Sequence, residues 1–203
     1  MIYAVVLAAG RSRRMGKGVQ KLLLPFDGGT VISRVVGEVV RSPVDETLVV
    51  LGTHEDGVRG ALARLPARFV TNPDPDGEML SSVRCGLREV PSDCDGVLIV
   101  LGDQPSITSP LIAHMLDAFR QSERGIIVPT CEGKRGHPLL FSGRYRRDVL
   151  NNYDDVGLRG LLRAHPNDVF ELPVEDSSVL SDIDYPEDYR RELARLNGQD
   201  PTP

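Results

Sequence analysis

Six short runs rich in branched apolar residues, at about 2–7, 46–51, 67–71, 97–101, 126–130 and 168–173, alternate with amphipathic stretches at about 30–42, 55–65, 79–90 and 108–122. Runs this short and this apolar suit strands buried on both faces, whereas the stretches between them have the helical period. Such alternation predicts βαβ units, and hence an α/β chain with a mostly parallel central sheet and helices on both faces. Right-handed crossovers then gather the carboxyl ends of the strands on one edge, where open α/β sheets bind ligands. The segment from Ile126 to Phe141 breaks the rhythm, because two apolar strands flank the polar turn Cys131-Glu132-Gly133-Lys134-Arg135-Gly136. It predicts a small β-hairpin excursion beside that edge. Helical patterns follow at about 142–150 and 156–164, and Pro186 suits the first position of a last helix. Residues 1–196 are expected to form one domain and 197–203 a disordered tail.

The first strand runs directly into Leu7-Ala8-Ala9-Gly10-Arg11-Ser12-Arg13-Arg14-Met15-Gly16, with Lys21 a little further on. Ala8, Ala9 and Gly10 remove bulk where a backbone must approach a ligand, and Gly10 admits positive φ. Successive amides in such a turn form an anion-binding nest, and the basic side chains add charge that a polyphosphate would neutralise. A solvated basic loop would account for the charges but not for their place straight after a buried strand. Neither G-x-x-x-x-G-K-[ST] nor G-x-G-x-x-G fits: the second glycine of the first pattern falls one residue late, at Gly16, and Ser12 stands where the other needs glycine. Two further segments lie at strand ends on the same edge, Asn72-Pro73 after the third run and Asp103 after the fourth. A carboxylate ending a buried strand needs hydrogen bonds or a cation, although Asp103-Gln104-Pro105-Ser106 also reads as a turn before the helix that Thr108 starts.

The L-A-A-G-x-S-x-R-M-G pattern with its downstream lysine resembles the signature of nucleotidyltransferases of the MobA-like family, and within it the molybdenum cofactor cytidylyltransferase branch. The likeness continues in order through Asn72-Pro73-Asp74, Gly77-Glu78-Met79-Leu80-Ser81-Ser82-Val83-Arg84, Gly102-Asp103-Gln104-Pro105, Gly136-His137-Pro138, Asp155-Val156-Gly157-Leu158-Arg159 and Asp182-Ile183-Asp184-Tyr185-Pro186-Glu187-Asp188, covering about residues 2–190. It implies a Rossmann-like three-layer α/β/α fold of the nucleotide-diphospho-sugar transferase type. The implied reaction is Mg²⁺-dependent transfer of CMP from CTP to a phosphorylated molybdopterin-type acceptor, with Mn²⁺ a substitute for Mg²⁺. Alternatives are another small phosphorylated acceptor, such as a sugar phosphate or methylerythritol phosphate, or GTP as donor. A rival of another class is a non-catalytic nucleotide- or cofactor-binding chaperone for a molybdenum hydroxylase, which need not keep both acidic positions. A molybdenum hydroxylase apoenzyme, or its chaperone, is the implied protein partner.

The same resemblance distributes roles. Arg14, Lys21 and Asp103 would be catalytic. Leu7, Ala8, Ala9, Gly10, Arg11, Ser12, Arg14, Lys21, Asn72, Ser81, Ser82 and Gly102 would bind the nucleotide, with the methyl of Ala9, where related guanylyltransferases have glycine, favouring a pyrimidine. Gln104, Pro105, Gly136, His137, Pro138 and Arg159 would face the acceptor. Asp103 and Asp184 would hold the metal. Asp182 and Asp184 lie two residues apart, and only one of them is expected to join Asp103; the resemblance favours Asp184 and leaves Asp182 in reserve. Tyr185 stands where family members often carry threonine.

A net charge of −5 argues against generic nucleic-acid binding, which draws on basic surface and counterion release. The apolar residues before the arginines reverse the order of a secretory signal, and no run approaches a membrane span, so a cytoplasmic protein is expected. Cys85, Cys94 and Cys131 have no metal-site spacing and read as free thiols, with Cys131 near enough to Gly136-His137 for a ligand contact to be conceivable. His54, His114 and His165 read as surface or packing residues. With no heptad seam in the sequence, a monomer is the expectation.

Overall fold

The computed structural model describes residues 1–16, 18–52, 56–74 and 78–198. Ten strands and seven helices are found among them. The strands are β1 (Ile2–Ala8), β2 (Pro25–Phe26), β3 (Gly29–Thr30), β4 (Glu46–Leu51), β5 (Arg68–Thr71), β6 (Gly96–Leu101), β7 (Ile126–Cys131), β8 (Lys134–Arg135), β9 (Leu139–Ser142) and β10 (Val169–Pro173). The helices are α1 (Val31–Arg41), α2 (Asp56–Ala61), α3 (Met79–Glu89), α4 (Ser109–Gln121), α5 (Arg146–Asn151), α6 (Arg159–Ala164) and α7 (Pro186–Leu196). All six apolar runs are strands of one sheet, ordered β10-β7-β9-β6-β1-β4-β5, with β8 paired to β7.

The chain leaves β1 for β4 and β5 on one side, then returns to pair β6 along the other side of β1, and both of those neighbours run parallel to it. Such a reversal leaves a crevice at the carboxyl ends of β1 and β6, opposite Leu7 and Leu101. Alternation along β1 explains the layers. Ile2, Ala4, Val6 and Ala8 face α1 and α4 through Ile32, Val35, Val36, Ile112 and Met115, while Tyr3 and Val5 face α3, α5 and α6 through Val83, Leu87, Val149 and Leu161. The helices begin where their caps dictate: Thr30 and Ser33 form a reciprocal capping box at α1, and Thr108 caps α4.

Three details depart from the sequence reading. The hairpin after β7 is present, with Glu132 and Gly133 at positive φ, but its return strand β9 enters the main sheet antiparallel between β6 and β7. A second hairpin, β2–β3, lies outside the six apolar runs; Asp27 and Gly28 turn it with φ of 48° and 73°. Asn197 and Gly198, expected to open the tail, instead close α7, and the rest of that tail lies outside the described residues. Among the described residues no helix is long and apolar enough to cross a membrane.

Candidate active site

Glycines flank the end of β1 on both sides. A Cβ at Gly52 would stand 2.9 Å from the Ala9 carbonyl oxygen, and one at Gly102 only 2.7 Å from that of Leu7. The Gly102 amide instead donates to the Leu7 carbonyl at 3.0 Å, so the loop after β1 and the turn after β6 leave the sheet in contact. Gly102 is thus buried and serves through its missing side chain. The bend of the first loop falls on Ser12, in the left-handed region at φ 51°, followed by Gly16 and Gly18. Gly10, the residue expected to take positive φ, does not: it is exposed, with open space around it. Ser12 Oγ accepts the backbone amide of Lys21 at 3.0 Å and draws the far end of the loop back to its start.

That closure delivers Lys21 to the cleft floor, where it is 8% exposed. Its Nζ lies 2.5 Å from Asp103 Oδ2 and 3.0 Å from Asp184 Oδ1, and Arg14 pairs with the other Asp184 oxygen. Burial alone would depress the Lys21 pKa, but Asp103 and Asp184 outweigh it and raise it. Desolvation opposes ionisation of Asp184, yet the hydrogen bond and charge of Lys21, joined by Arg14, hold it below the usual carboxylate range. Asp184 reaches this place because Ile183 is fully buried in a small separate core with Met15, Phe26 and Val31, packed by Tyr189 and Leu193 of α7. The Ile183 amide donates to the Asp103 carbonyl at 3.0 Å. Asp182, on the other side of Ile183, is exposed and faces a neighbouring cavity; local desolvation, then the like charges of Asp103 and Asp184, push its pKa up.

The cavity, about 840 Å³, opens beside this ion network. Of the residues expected to face an acceptor, Gln104, Gly136, His137 and Arg159 line this cavity, whereas Pro105 and Pro138 are buried and do not. Gln104 is 3% exposed and its Oε1 has no hydrogen-bond partner; His137 Nδ1 is likewise unpartnered. Desolvation and the Arg159 charge lower the His137 pKa against the pull of Asp103, so the imidazole is neutral near pH 7. His137 therefore offers a hydrogen bond rather than a cation. Arg163 also lines the cavity, one turn after Arg159, and neither arginine forms an ion pair among the described residues. The R-x-x-x-R spacing on a helix was the available signal for Arg163.

On the other side of the loop, Asn72 donates to Ser81 Oγ and Ser82 Oγ, both at 3.1 Å, and accepts the Asp74 amide. Asn72 and Ser82 are buried, so this trio ties the loop after β5 to the start of α3; Ser81 alone is partly exposed. Arg84 of α3 donates to the carbonyls of Val149 and Asn152 and pairs with Asp154, joining that helix to the end of α5 and the segment after it. Cys131 is buried against the Glu175 carbonyl and does not line the cavity. His165 packs on Tyr145, His114 is exposed, and His54 lies outside the described residues.

A crevice at a sheet reversal, a cationic loop after the first strand and two carboxylates meeting on one lysine define an α/β nucleotidyltransferase. The chain belongs to the family described as the MobA-like NTP transferase domain, whose model matches residues 4–169. Among curated relatives, the purine catabolism protein PucB of Bacillus subtilis is 32% identical, over 93% of this chain and 94% of its own. Nicotine blue oxidoreductase of Paenarthrobacter nicotinovorans is 28% identical (95% and 96%), and the molybdenum cofactor cytidylyltransferase of Escherichia coli 25% (93% and 93%). Among solved structures, Rv0371c of Mycobacterium tuberculosis superposes with a TM-score of 0.83 at 31% identity, covering 95% of this chain and 96% of its own. A nucleotidyl transferase from Methanothermobacter gives 0.85 at 26% identity, covering 98% and 99%. Rv0371c has also been solved as a complex with manganese, at 0.78 and 30%, covering 95% and 97%.

Proposed function

We propose that this protein transfers CMP from CTP to a phosphorylated molybdopterin-type acceptor and releases pyrophosphate. The observation that carries the reading is the pairing of two sites across one floor: the Lys21–Asp103–Asp184 network, and a cavity whose buried polar atoms, Gln104 Oε1 and His137 Nδ1, lack partners. A planar heterocycle with ring N–H groups suits those atoms, and a phosphate suits Arg159. The Escherichia coli relative named for this activity adds weight to that choice of acceptor.

In the proposed reaction an acceptor phosphate oxygen forms a bond to the α-phosphorus of the nucleotide while the bond from that phosphorus to the β-bridging oxygen breaks. Pyrophosphate carries away the electron pair. The acceptor phosphate is ionised near neutral pH, so the protein needs no strong base; positioning and charge neutralisation are its task. Lys21 and Arg14 would stabilise charge on the transferring group, and Arg11 with the loop amides would hold the outer phosphates. The carboxylates fit a hard cation: Asp103 and Asp184 reach one point from two segments, and no third metal-binding side chain joins them among the described residues. Such a pair, completed by substrate phosphates and water, is the usual protein share of a Mg²⁺ or Mn²⁺ site. A cation bound there would neutralise triphosphate charge and polarise the reacting phosphoryl group.

Pyrophosphate release from purified protein with Mg²⁺, using CTP or GTP with and without the molybdopterin-type acceptor, tests all of this together. Release confined to CTP with acceptor supports the reading. Release with GTP, or with a sugar phosphate or methylerythritol phosphate instead, reassigns the substrate; nucleotide binding without release under any pairing leaves the non-catalytic chaperone.

A further inference from the structure

Helix α6 carries Arg159 and Arg163 into the cavity wall, yet it has six residues and no side-chain cap at either end. A helix this short does not hold itself in water. Leu161 and Leu162 bury one face of it in the core, and one carboxylate on the preceding helix ties down its two flanks. Asp148 of α5 accepts the Tyr153 hydroxyl through Oδ2, and the same oxygen lies 3.0 Å from His165 Nε2. The second oxygen accepts Asn152 Nδ2. Tyr153 stands just before α6 and His165 just after it, so Asp148 grips both ends of the segment.

The remaining contacts make the grip specific. Tyr153 adopts φ 79°, a conformation that an aromatic residue keeps only when its surroundings fix it. Its ring lies against Gly160, where a Cβ would come within 2.3 Å of Tyr153 Cδ1, and its carbonyl accepts the Gly157 amide at 2.8 Å. The His165 ring packs on Tyr145 with centroids 4.5 Å apart.

We infer that Asp148 is a positioning residue: by holding Tyr153 and His165 it fixes the short helix that presents Arg159 and Arg163 to the acceptor cavity. Hydrogen bonds from Tyr153, then His165, keep Asp148 below the usual carboxylate range, so it stays an acceptor at neutral pH. Burial and Asp148 push Tyr153 up to about 12, which keeps its hydroxyl a donor. The functional half of this inference rests on the acceptor reading above; the structural half does not.

The test uses the full chain with Asp148→Ala, Tyr153→Phe and the double variant. Amide hydrogen exchange across residues 157–165 is expected to quicken roughly tenfold or more in Asp148→Ala, with β1 and β6 unchanged. KM for the acceptor is expected to rise about tenfold while KM for the nucleotide stays within about twofold. Tyr153→Phe keeps the ring against Gly160 and should show a smaller effect of the same kind. The double variant should be no worse than Asp148→Ala, because the tyrosine hydroxyl has already lost its acceptor. Unchanged exchange in Asp148→Ala overturns the clamp; quickened exchange with an unchanged acceptor KM overturns its role in positioning. Should the wild-type protein show no acceptor-dependent turnover, the substrate reading falls and exchange alone decides the clamp.

Discussion

Replacing Lys21 by methionine keeps the apolar stem and removes only the ammonium. Its place in the fold implies a substantial cost to stability as well as to turnover. At an effective dielectric of about 20, each contact to Asp103 or Asp184 is worth roughly 6 kcal/mol before desolvation is subtracted. Removing one partner of a fully buried pair costs about 3–5 kcal/mol, mostly through the charge left behind. Asp103 and Asp184 are 19% and 31% exposed, so water relieves part of that, and about 2–3 kcal/mol is expected here. For a chain of this size that lowers Tm by roughly 5–10 °C. The sign with pH follows from Asp184, whose depressed pKa gives stability that is present above its unfolded value and lost as pH falls through the folded one. The deficit of the variant should therefore be full near pH 7 and narrow only below about pH 4, for example at about pH 3, as pH falls through the depressed pKa of Asp184 and protonation relieves the repulsion between the two carboxylates. Thermal unfolding by circular dichroism at both pH values reads this. A variant that melts with the wild type near neutrality, or a deficit that does not narrow in acid, would refute the argument.

Three other perturbations separate site from scaffold. Asp103→Ala is expected to abolish pyrophosphate release with far-UV circular dichroism unchanged; retained turnover would remove Asp103 from the chemistry. Ile183→Ala should cost about 2–5 kcal/mol, as large-to-small changes at fully buried sites do, and should lower turnover further than Tm loss explains by freeing Asp184 from Lys21. Activity measured well below the melting range distinguishes those two losses. Gly102→Ala puts a methyl 2.7 Å from the Leu7 carbonyl oxygen, so a loss of about 1–3 kcal/mol is expected in denaturant titration, and a neutral result would mean that the β1–β6 exit relaxes freely.

The sheet was legible because each strand is a compact branched run, and the nucleotide loop because its small and cationic residues follow the first of them without a gap. The choice between Asp182 and Asp184 was legible only through the resemblance: two residues apart, they would share a face of an extended segment, and which one meets Lys21 depends on the separate core around Met15 and Phe26. Strand order is not written in apolar periodicity, so the entry of β9 between β6 and β7 had no local signal. The β2–β3 hairpin did have one, the Asp27-Gly28 pair, but strands of two residues carry too little pattern to flank it. The mutual bonds of Asn72, Ser81 and Ser82 show the same limit from another side: side chains that read as ligand contacts are in part consumed by one another.

Asp184 closes the ion network from near the far end of the chain, whereas Arg14, Lys21 and Asp103 all precede it by many residues. During synthesis, the strands from β1 to β7 can therefore emerge and pair while the site still lacks one of its two carboxylates. Competence would come late, with the docking of α7 and the burial of Ile183, so a nascent chain could possess its sheet before it possesses its reaction. A stop codon placed between β10 and Asp184 would then yield a nucleotidyltransferase fold whose lysine has a single carboxylate to answer it.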